Sequence, residues 1–366
     1  MNRFAPMGDR NTIRKYVGSM SQLAGVKKYR MDDGPARGVE AVDVRTGGGL
    51  EYTVLPGRGM DIASLSYRGV PISYMSSTGI CSADRYEPDG MNWLRGFYAG
   101  MLTTCGLSNV GGPCDEVHPV IGPRHFGLHG RLSYTPAEEV SATARWRGET
   151  YELAVEGKLT ESIVHGEHWT LRRRIVSELG GRSLKLQDAI ENESNQPQPM
   201  MLLYHMNVGY PLLDADARLI LAAKKTEGAS EEARAEAGSF DRFHAPRPRW
   251  AERCYFHVPA AGADGKARVA MVNDRLGLGV LFGFDPKHLP CLTEWKMLSE
   301  GEYVVGIEPG NTPPIGRTNA AKQGTLAWLE PGEVRHVELS IEILDGAEEI
   351  AAAEGIYNKE RKAQKK

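Results

Sequence analysis

The sequence lacks long apolar segments and an excess of charge of either sign. No apolar run approaches the roughly 18 residues needed to cross a bilayer, and the N-terminus contains no apolar stretch of the kind found in secretion signals. We therefore expect no membrane partner and a cytoplasmic location. The 44 Lys and Arg residues are balanced by 47 Asp and Glu residues, so no basic field predicts a nucleic-acid partner.

Cysteine is scarce, and the motifs of several large enzyme classes are missing. The five cysteines are an odd number without CxxC spacing, which argues against a disulfide framework. Cys105 has no base beside it in the sequence, so we interpret it as a packing residue. The sequence contains no GxGxxG, Walker or GxSxG motif, so nucleotide-dependent and hydrolase chemistry lack support. We expect no cofactor.

Glycine and proline are abundant, at 42 and 21 residues, and indicate many turns. Apolar and polar residues alternate with a period of two in segments such as 151–159, 184–190 and 337–343, which is typical of strands with one solvent-exposed face. Residues 273–277 separate two apolar runs and predict a hairpin turn. The fold class that we predict is all-β, a large antiparallel β-sandwich with few short helices.

The chain is predicted to form one domain over residues 1–366, with its core at about 16–345. Residues 226–250 predict an insertion over one face, because a short charged helix is followed by a proline-rich stretch. Residues 346–366 predict a C-terminal helix with a basic tail. Near-helical spacing of apolar residues predicts a further helix from Thr12 to Leu23.

Two polar residues on separate predicted strands are the first candidates for chemistry. Glu308 lies between an apolar run and a Pro-Gly turn, where an unpaired buried carboxylate would be costly. His205 and Asn207 are two residues apart on another strand and so share a face. A glutamate and a histidine in this arrangement suit proton transfer to and from a small molecule. The alternatives are a structural histidine and a glutamate that accepts turn amides.

Further candidates lie in loops and at strand ends. Arg58 and Asp61 surround a glycine and would either pair with each other or bind substrate hydroxyls. His129 and Arg131 lie in a glycine-rich segment that lets the backbone approach a ligand. Lys296 follows a tryptophan whose face would suit a sugar, with a core tryptophan beside a surface lysine as the equal alternative.

Three histidines within twelve residues keep a metal site open as an alternative. His118 and His125 precede His129, and imidazole is a common metal ligand. The spacing of His125 and His129 would place them on one helical face. Glycines and a proline make a helix improbable in that segment, so the metal signal is weak.

Taken together, these segments resemble the galactose mutarotase-like superfamily. The LHG segment at 128–130 is similar to a mutarotase motif whose histidine binds substrate. The YHMN segment at 204–207 resembles the strand whose histidine is the general acid, and IEP at 307–309 resembles the motif whose glutamate is the general base. The order and wide spacing of the three segments also match, over about residues 16–345.

Other segments resemble one branch of that superfamily, the aldose 1-epimerase-related proteins that carry domain of unknown function 4432. They are RGMDI at 58–62, LTTCGL at 102–107 and EWK at 294–296. The arginine motif of mutarotases is not evident, and we expect Arg58 or Arg131 to replace it. The substrate-binding aspartate also has no clear match, since Asp241 lies in the predicted insertion.

The resemblance implies a cofactor-independent aldose 1-epimerase that opens a sugar ring by acid–base catalysis. Glu308 would remove the anomeric proton and His205 would protonate the ring oxygen. It also implies substrate-binding roles, which we assign to Arg58, Asp61, His129, Arg131, Asn207 and Lys296. The expected partner is a small-molecule sugar, and the cationic residues leave room for an acidic or phosphorylated one. No metal ligand is assigned.

Two other functions stay open on the same scaffold. One is another carbohydrate isomerase or epimerase, assisted by a metal at His118 and His125. The other is a non-catalytic carbohydrate-binding protein. A homo-oligomer also stays open, because the insertion at 226–250 could cover either the site or a neighbouring subunit.

Overall fold

The computed structural model describes residues 9–363 as a protein built mainly from β-strands. In chain order, its strands are β1 Gly25–Arg30, β2 Glu40–Arg45, β3 Leu50–Leu55, β4 Asp61–Tyr67, β5 Val70–Pro71, β6 Tyr74–Met75, β7 Ala99–Gly100, β8 Thr103–Leu107, β9 Cys114–His118, β10 Gly122–Phe126, β11 Glu138–Arg147, β12 Thr150–Ser162, β13 His168–Glu178, β14 Ser183–Asn192, β15 Gln198–Gly209, β16 Ala217–Leu221, β17 Ala223–Gly228, β18 Arg253–Pro259, β19 Ala267–Asn273, β20 Leu278–Phe284, β21 Cys291–Ser299, β22 Glu302–Gly310, β23 Ala327–Leu329 and β24 Val334–Asp345.

Helices are few in the described part of the chain. The α-helices are α1 Arg10–Ile13, α2 Glu231–Ala235, α3 Arg317–Lys322 and α4 Ala347–Ala363. Short 3-10 turns occur at Met20–Gln22, Gly34–Ala36, Ala83–Arg85, Asn92–Gly96, Leu132–Tyr134 and Ala237–Ser239. None of the helices within residues 9–363 combines the length and the hydropathy needed to cross a bilayer.

Three large antiparallel sheets organise the strands. One has the order β1-β2-β3-β4-β5, and the longest has the order β11-β12-β13-β14-β24-β20-β19-β16. The third follows β17-β18-β21-β22-β15-β23, with β8 also paired to β15. Two small ribbons, β9 with β10 and β6 with β7, complete the pairing. The prediction of an all-β antiparallel sandwich with few short helices is confirmed.

The main hydrophobic core draws side chains from all three large sheets. Val54 of β3, Leu171 of β13, Tyr204 of β15 and Ile307 of β22 belong to it and are fully buried. Their alternation with outward-facing residues follows the two-residue period of a strand. Burial of each such side chain contributes about 1.5–3 kcal/mol to folding.

A buried polar network crosses the core between the sheets. Arg173 of β13 binds the Asp188 carboxylate through two hydrogen bonds, at 2.9 and 2.7 Å. The same guanidinium reaches Asp61 of β4 at 3.2 Å and the Thr104 hydroxyl of β8 at 2.9 Å. Tyr204 donates to Asp188 at 2.7 Å. Because the two carboxylates flank one cation, their desolvation is offset by ion pairing and hydrogen bonds.

Most local sequence expectations hold, with one exception near the start. The strands predicted at 151–159, 184–190 and 337–343 are parts of β12, β14 and β24, and the predicted turn joins β19 to β20. The helix predicted from Thr12 to Leu23 is wrong. Helix α1 ends at Ile13, and Ser19 begins a separate 3-10 turn by accepting a hydrogen bond from the Ser21 amide. Gly18 lies between the two, where helix propensity is poor.

Candidate active site

Two neighbouring strands bring His205 and Glu308 together. β15 and β22 pair antiparallel, with Met206 opposite Ile307. The adjacent positions His205 and Glu308 therefore lie side by side. Nε2 of His205 lies 3.1 Å from Oε1 of Glu308. The two residues are only 5% and 3% exposed, so their proton affinities are governed by a low-dielectric environment.

Burial sets the protonation of this pair. It raises the pKa of Glu308 well above its ordinary value, and the nearby Glu252 carboxylate raises it further. Burial also lowers the pKa of His205 to about 3, with His129 adding to the lowering and Asn207 opposing it. Of the two residues, the glutamate therefore holds a proton more tightly than the histidine, and the pair with one proton has no net charge. Transfer of that proton from Glu308 to Nε2 of His205, which lies 3.1 Å from Oε1, would create an imidazolium–carboxylate pair.

The pair retains hydrogen-bonding capacity for a ligand. Among residues 9–363, neither Oε1 of Glu308 nor Nδ1 of His205 has an aligned hydrogen-bond partner. Buried polar atoms without partners are uncommon and are concentrated at functional sites. Asn207 is fully buried beside them and donates to the His205 carbonyl at 3.0 Å, while its own Oδ1 is unpartnered within the described residues.

His129 lies across from His205, with ring centroids 6.0 Å apart. It adopts a positive φ of 57° between Leu128 and Gly130. The Gly111 amide donates to its Nδ1 at 3.3 Å, so the neutral ring carries its proton on Nε2. Burial lowers the pKa of His129 to about 4. At neutral pH, His129 is therefore an uncharged hydrogen-bond donor.

Aromatic rings surround the histidines. Phe97 and Trp295 lie 5.1 and 5.4 Å from the His205 ring, measured between centroids. Trp93 lies 5.0 Å from the His129 ring. The indole of Trp295 donates to Glu252 at 2.8 Å, which orients it. Such rings offer apolar faces beside a few polar groups, the usual composition of a small-molecule site.

A glycine opposite Trp295 leaves room for the pair. Gly306 is aligned with Trp295 across β21 and β22. A Cβ atom at this position would lie 2.5 Å from Oε1 of Glu308 and 3.1 Å from Cε1 of His205. The missing side chain is therefore what allows the carboxylate to lie against the imidazole.

The structure places Arg58 and Asp61 away from the pair. Arg58 is 1% exposed and donates to the backbone carbonyls of Ser133, Cys81 and Gly96. Its guanidinium lies 3.9 Å from the centre of the Tyr134 ring. Asp61 is fully buried in the Arg173 network, and its burial raises its pKa to about 6 although Arg173 opposes this. The hydrogen bonds of Arg58 are therefore made to core carbonyls, and Asp61 pairs with Arg173 rather than with Arg58.

Lys296 lies on the other face of its strand. Successive residues of a strand face opposite sides of the sheet, so Trp295 faces the pair while Lys296 faces away. The ammonium of Lys296 donates to the carbonyl of Arg242 at 3.0 Å and lies 3.5 Å from Glu294. It holds the segment around Ser239 and Arg242 against the sheet. This segment lies within the predicted insertion.

Arg131 and the additional histidines also lie apart from the pair. Arg131 is exposed, with its guanidinium 5.8 Å from the Tyr86 ring centre. His118 accepts hydrogen bonds from the amides of Val120 and Ile121. His125 accepts one from the Gly90 amide. Within the described residues, no group of three or more His, Cys, Asp or Glu side chains is arranged to hold a metal ion.

Four residues of the site had no assigned role in the sequence analysis. Trp93, Phe97 and Glu252 come from segments far apart in the chain, and Gly306 is one glycine among many. Trp295 differs from these four residues, because the sequence analysis considered it as a sugar platform beside Lys296. The others become recognisable only when distant strands meet.

The fold defines the class of protein. The structure superimposes on that of a candidate aldose 1-epimerase from Klebsiella pneumoniae with a TM-score of 0.86 and 24% identity, covering 93% of this chain and 90% of that one. A galactose mutarotase-like protein from Clostridium acetobutylicum gives a TM-score of 0.63 at 13% identity, covering 88% and 99% of the two chains. A galactose 1-epimerase from Lactobacillus acidophilus gives 0.58 at 11% identity, with the same coverage. These likenesses show a galactose mutarotase-like fold.

The sequence identifies the family within that fold. Residues 36–343 match the domain of unknown function DUF4432. The chain therefore belongs to the DUF4432 family. No curated protein matches its sequence significantly.

Proposed function

We propose that this protein is a cofactor-independent aldose 1-epimerase, with His205 and Glu308 as its acid–base pair. The observation that carries the proposal is the 3.1 Å approach of a buried imidazole nitrogen and a buried carboxyl oxygen. Anomer exchange requires a proton to be taken from the anomeric hydroxyl and another to be given to the ring oxygen. A pair with one donor and one acceptor supplies both groups.

The proton first moves within the pair. Sugar hydroxyls that donate to the Glu308 carboxylate favour its charged form, since hydrogen bonds to a charged group lower the pKa of an acid. Its proton then passes to His205. The Glu308 carboxylate removes the proton from the anomeric hydroxyl, and the His205 imidazolium protonates the ring oxygen as the C1–O5 bond breaks. The open aldehyde rotates about C1–C2, and ring closure returns both protons.

The remaining residues would position the sugar. His129, neutral and with Nε2–H as donor, would hydrogen-bond a ring substituent without competing for the mobile proton. Trp295 and Phe97 would pack against the C–H face of a pyranose. Asn207 would hold His205 through the backbone carbonyl it contacts. Arg58, Asp61 and Lys296 are left out of this mechanism, because each one binds groups outside the His205–Glu308 pair.

Exchange NMR tests the proposal directly. Saturation transfer between α and β anomers would be measured over a panel of neutral aldoses, uronates and sugar phosphates. We expect fast exchange on at least one sugar with the wild type, and a rate at least about a hundredfold lower with Glu308→Gln, because the base is lost. Glu302→Gln, exposed and at the start of the same strand, serves as the matched control.

Two outcomes would contradict the proposal. One is equal exchange rates in the wild type and in folded Glu308→Gln. The other is no exchange on any sugar with folded wild type. Sugar binding without exchange would favour a carbohydrate-binding protein instead.

A further inference from the structure

A second cleft of about 350 Å³ lies beside the segment that carries His129. We call it the Glu161 cleft. The residues of its wall that carry the argument are Tyr86, Arg124, Phe126, Arg131, Glu161 and Glu167. It lies where the β9–β10 ribbon and the loop through Gly130 meet the end of β12. Its volume suits a ligand the size of a monosaccharide.

The carboxyl group of Glu161 is buried in this wall with one oxygen uncommitted. The residue is 4% exposed, and its Oε2 accepts a hydrogen bond from the Leu107 amide at 3.2 Å. Its Oε1 has no hydrogen-bond partner within residues 9–363. Burial raises the pKa of this carboxyl group, and the Ser108 hydroxyl, the Leu107 amide and the charge of Arg131 oppose the shift. An uncommitted buried oxygen indicates that a ligand group completes the site.

The cations around the cleft are paired, with one exception. Arg124 and Glu167 neutralise each other through two hydrogen bonds of 2.7 and 2.6 Å. Arg317, whose charge also reaches Glu167, is paired with Glu116 at 2.7 Å. Arg131 makes no ion pair within the described residues and lies over the Tyr86 ring.

Other groups around the cleft are also committed. His125 is paired with Asp115 at 2.8 Å, and Tyr86 donates to the Gly130 carbonyl. Burial raises the pKa of Tyr86 to about 12, and the charge of Asp89 adds to the shift. The guanidinium of Arg131 is therefore the cation that remains available to a ligand.

We propose that the Glu161 cleft is a second saccharide site, selective for a sugar unit that carries a carboxylate or a phosphate. Arg131 would bind the anionic group, since the N–H donors of a guanidinium match the oxygen atoms of a carboxylate and of a phosphate. Oε1 of Glu161 would accept a sugar hydroxyl. The apolar parts of the wall, such as Ile121 and Pro123, would contact the ring. This site is distinct from the His205–Glu308 pair, so the inference does not rest on the proposed function.

Titration calorimetry and saturation-transfer-difference NMR on the full chain at pH 8 would test this. The probes are glucuronate, glucose 6-phosphate and glucose. We expect the wild type to bind at least one of the two anionic sugars more tightly than glucose. Arg131→Gln should weaken that binding by about tenfold, because a charge-assisted contact is lost. Its affinity for glucose should be unchanged. Arg131→Lys should retain part of the preference.

A second variant tests the other wall of the cleft. Glu161→Gln replaces the acceptor oxygen by a donor and should weaken glucose and the anionic sugars alike, by about threefold. Arg145→Gln, an exposed arginine at the far end of the β11–β12 pair, serves as the control and should change nothing.

The inference would be overturned in either of two ways. Anionic sugars could bind no more tightly than glucose, or their binding could be the same in Arg131→Gln and Arg145→Gln. A preference for glucuronate alone, or for glucose 6-phosphate alone, would identify which anion the cleft accepts. Because binding is measured rather than turnover, a failed epimerase assay leaves this result unaffected.

Discussion

Nε2 of His205 and Oε1 of Glu308 are 3.1 Å apart, although the two residues lie far apart in the sequence. The antiparallel register of β15 and β22 creates this contact, and the absence of a side chain at Gly306 leaves room for it. Both groups are buried, and burial is the main cause of the shifted pKa of each one. A proton that moves between them leaves the net charge of the pair unchanged, which suits acid–base catalysis at a neutral sugar.

Gly306→Ala should separate activity from folding. The new Cβ would lie 2.5 Å from Oε1 of Glu308, which is the free end of a flexible side chain. The carboxylate would shift rather than the backbone, so the exchange rate should fall at least about tenfold with little change in melting temperature. NMR exchange and thermal unfolding check this. Gly25→Ala, whose nearest neighbour would be at 3.7 Å, is the control. Unchanged exchange in Gly306→Ala would contradict the role of the pair.

Glu252→Gln should shift the pH profile to lower pH. The Glu252 carboxylate adds to the raised pKa of Glu308, after burial. Removing its charge lowers the pKa of Glu308, so the alkaline limb of kcat/KM, where the free pair loses its one mobile proton, moves to lower pH. A glutamine can still accept from the Trp295 indole. Glu231→Gln, exposed on α2, should leave the profile in place. A shift to higher pH would count against Glu308 as the base.

The stability of the wild type relative to His205→Gln should fall as the solution is acidified. The pKa of His205 is about 3 in the folded protein and about 6.5 when unfolded, so below pH 6.5 the unfolded chain binds a proton that the folded chain does not. The stability contribution is thus complete above pH 6.5 and is lost as the pH falls toward 3. Between pH 7.5 and 5, the difference in unfolding free energy should change by about 2 kcal/mol.

Urea unfolding at several pH values measures this difference. His336→Gln removes an exposed histidine and should show no comparable trend. A difference between wild type and His205→Gln that stays constant with pH would mean that the pKa of His205 is the same in the folded and unfolded chain.

Arg173→Leu should destabilise the fold strongly. The guanidinium is fully buried between Asp61 and Asp188, so its loss leaves two buried carboxylates without their cation. Breaking a buried ion pair costs about 3–5 kcal/mol. Arg172→Leu removes an adjacent exposed arginine, paired to the exposed Glu139, and should cost less than about 1 kcal/mol. Denaturant unfolding compares the two variants. Similar losses would contradict the structural role given to the network.

Local patterning was enough to predict the strands and one part of the site. The face shared by Leu203, His205 and Asn207 follows from strand alternation, because Tyr204 and Met206 enter the main core on the other side. By the same rule, Trp295 and Lys296 cannot both face the site. The sequence alone did not show which of these two residues faces it.

Arg58 and Asp61 show why local sequence does not place every candidate relative to the pair. Both are polar residues in a glycine-containing segment, which is a common appearance for a ligand site. Their partners, the carbonyl of Ser133 and the guanidinium of Arg173, lie in distant segments. Nothing in the local sequence distinguishes a polar group committed to the core from one that is available to a substrate.

The sequence by itself determined that the chain forms an antiparallel β protein, because strand alternation and turn residues act over a few positions. It also placed a histidine and a glutamate on strands with suitable faces. Only the tertiary structure decided that Glu308 lies against His205, that Arg58 and Lys296 are committed elsewhere, and that Glu161 keeps a free oxygen. These outcomes depend on the register and burial of segments far apart in the chain, and such contacts leave no local pattern.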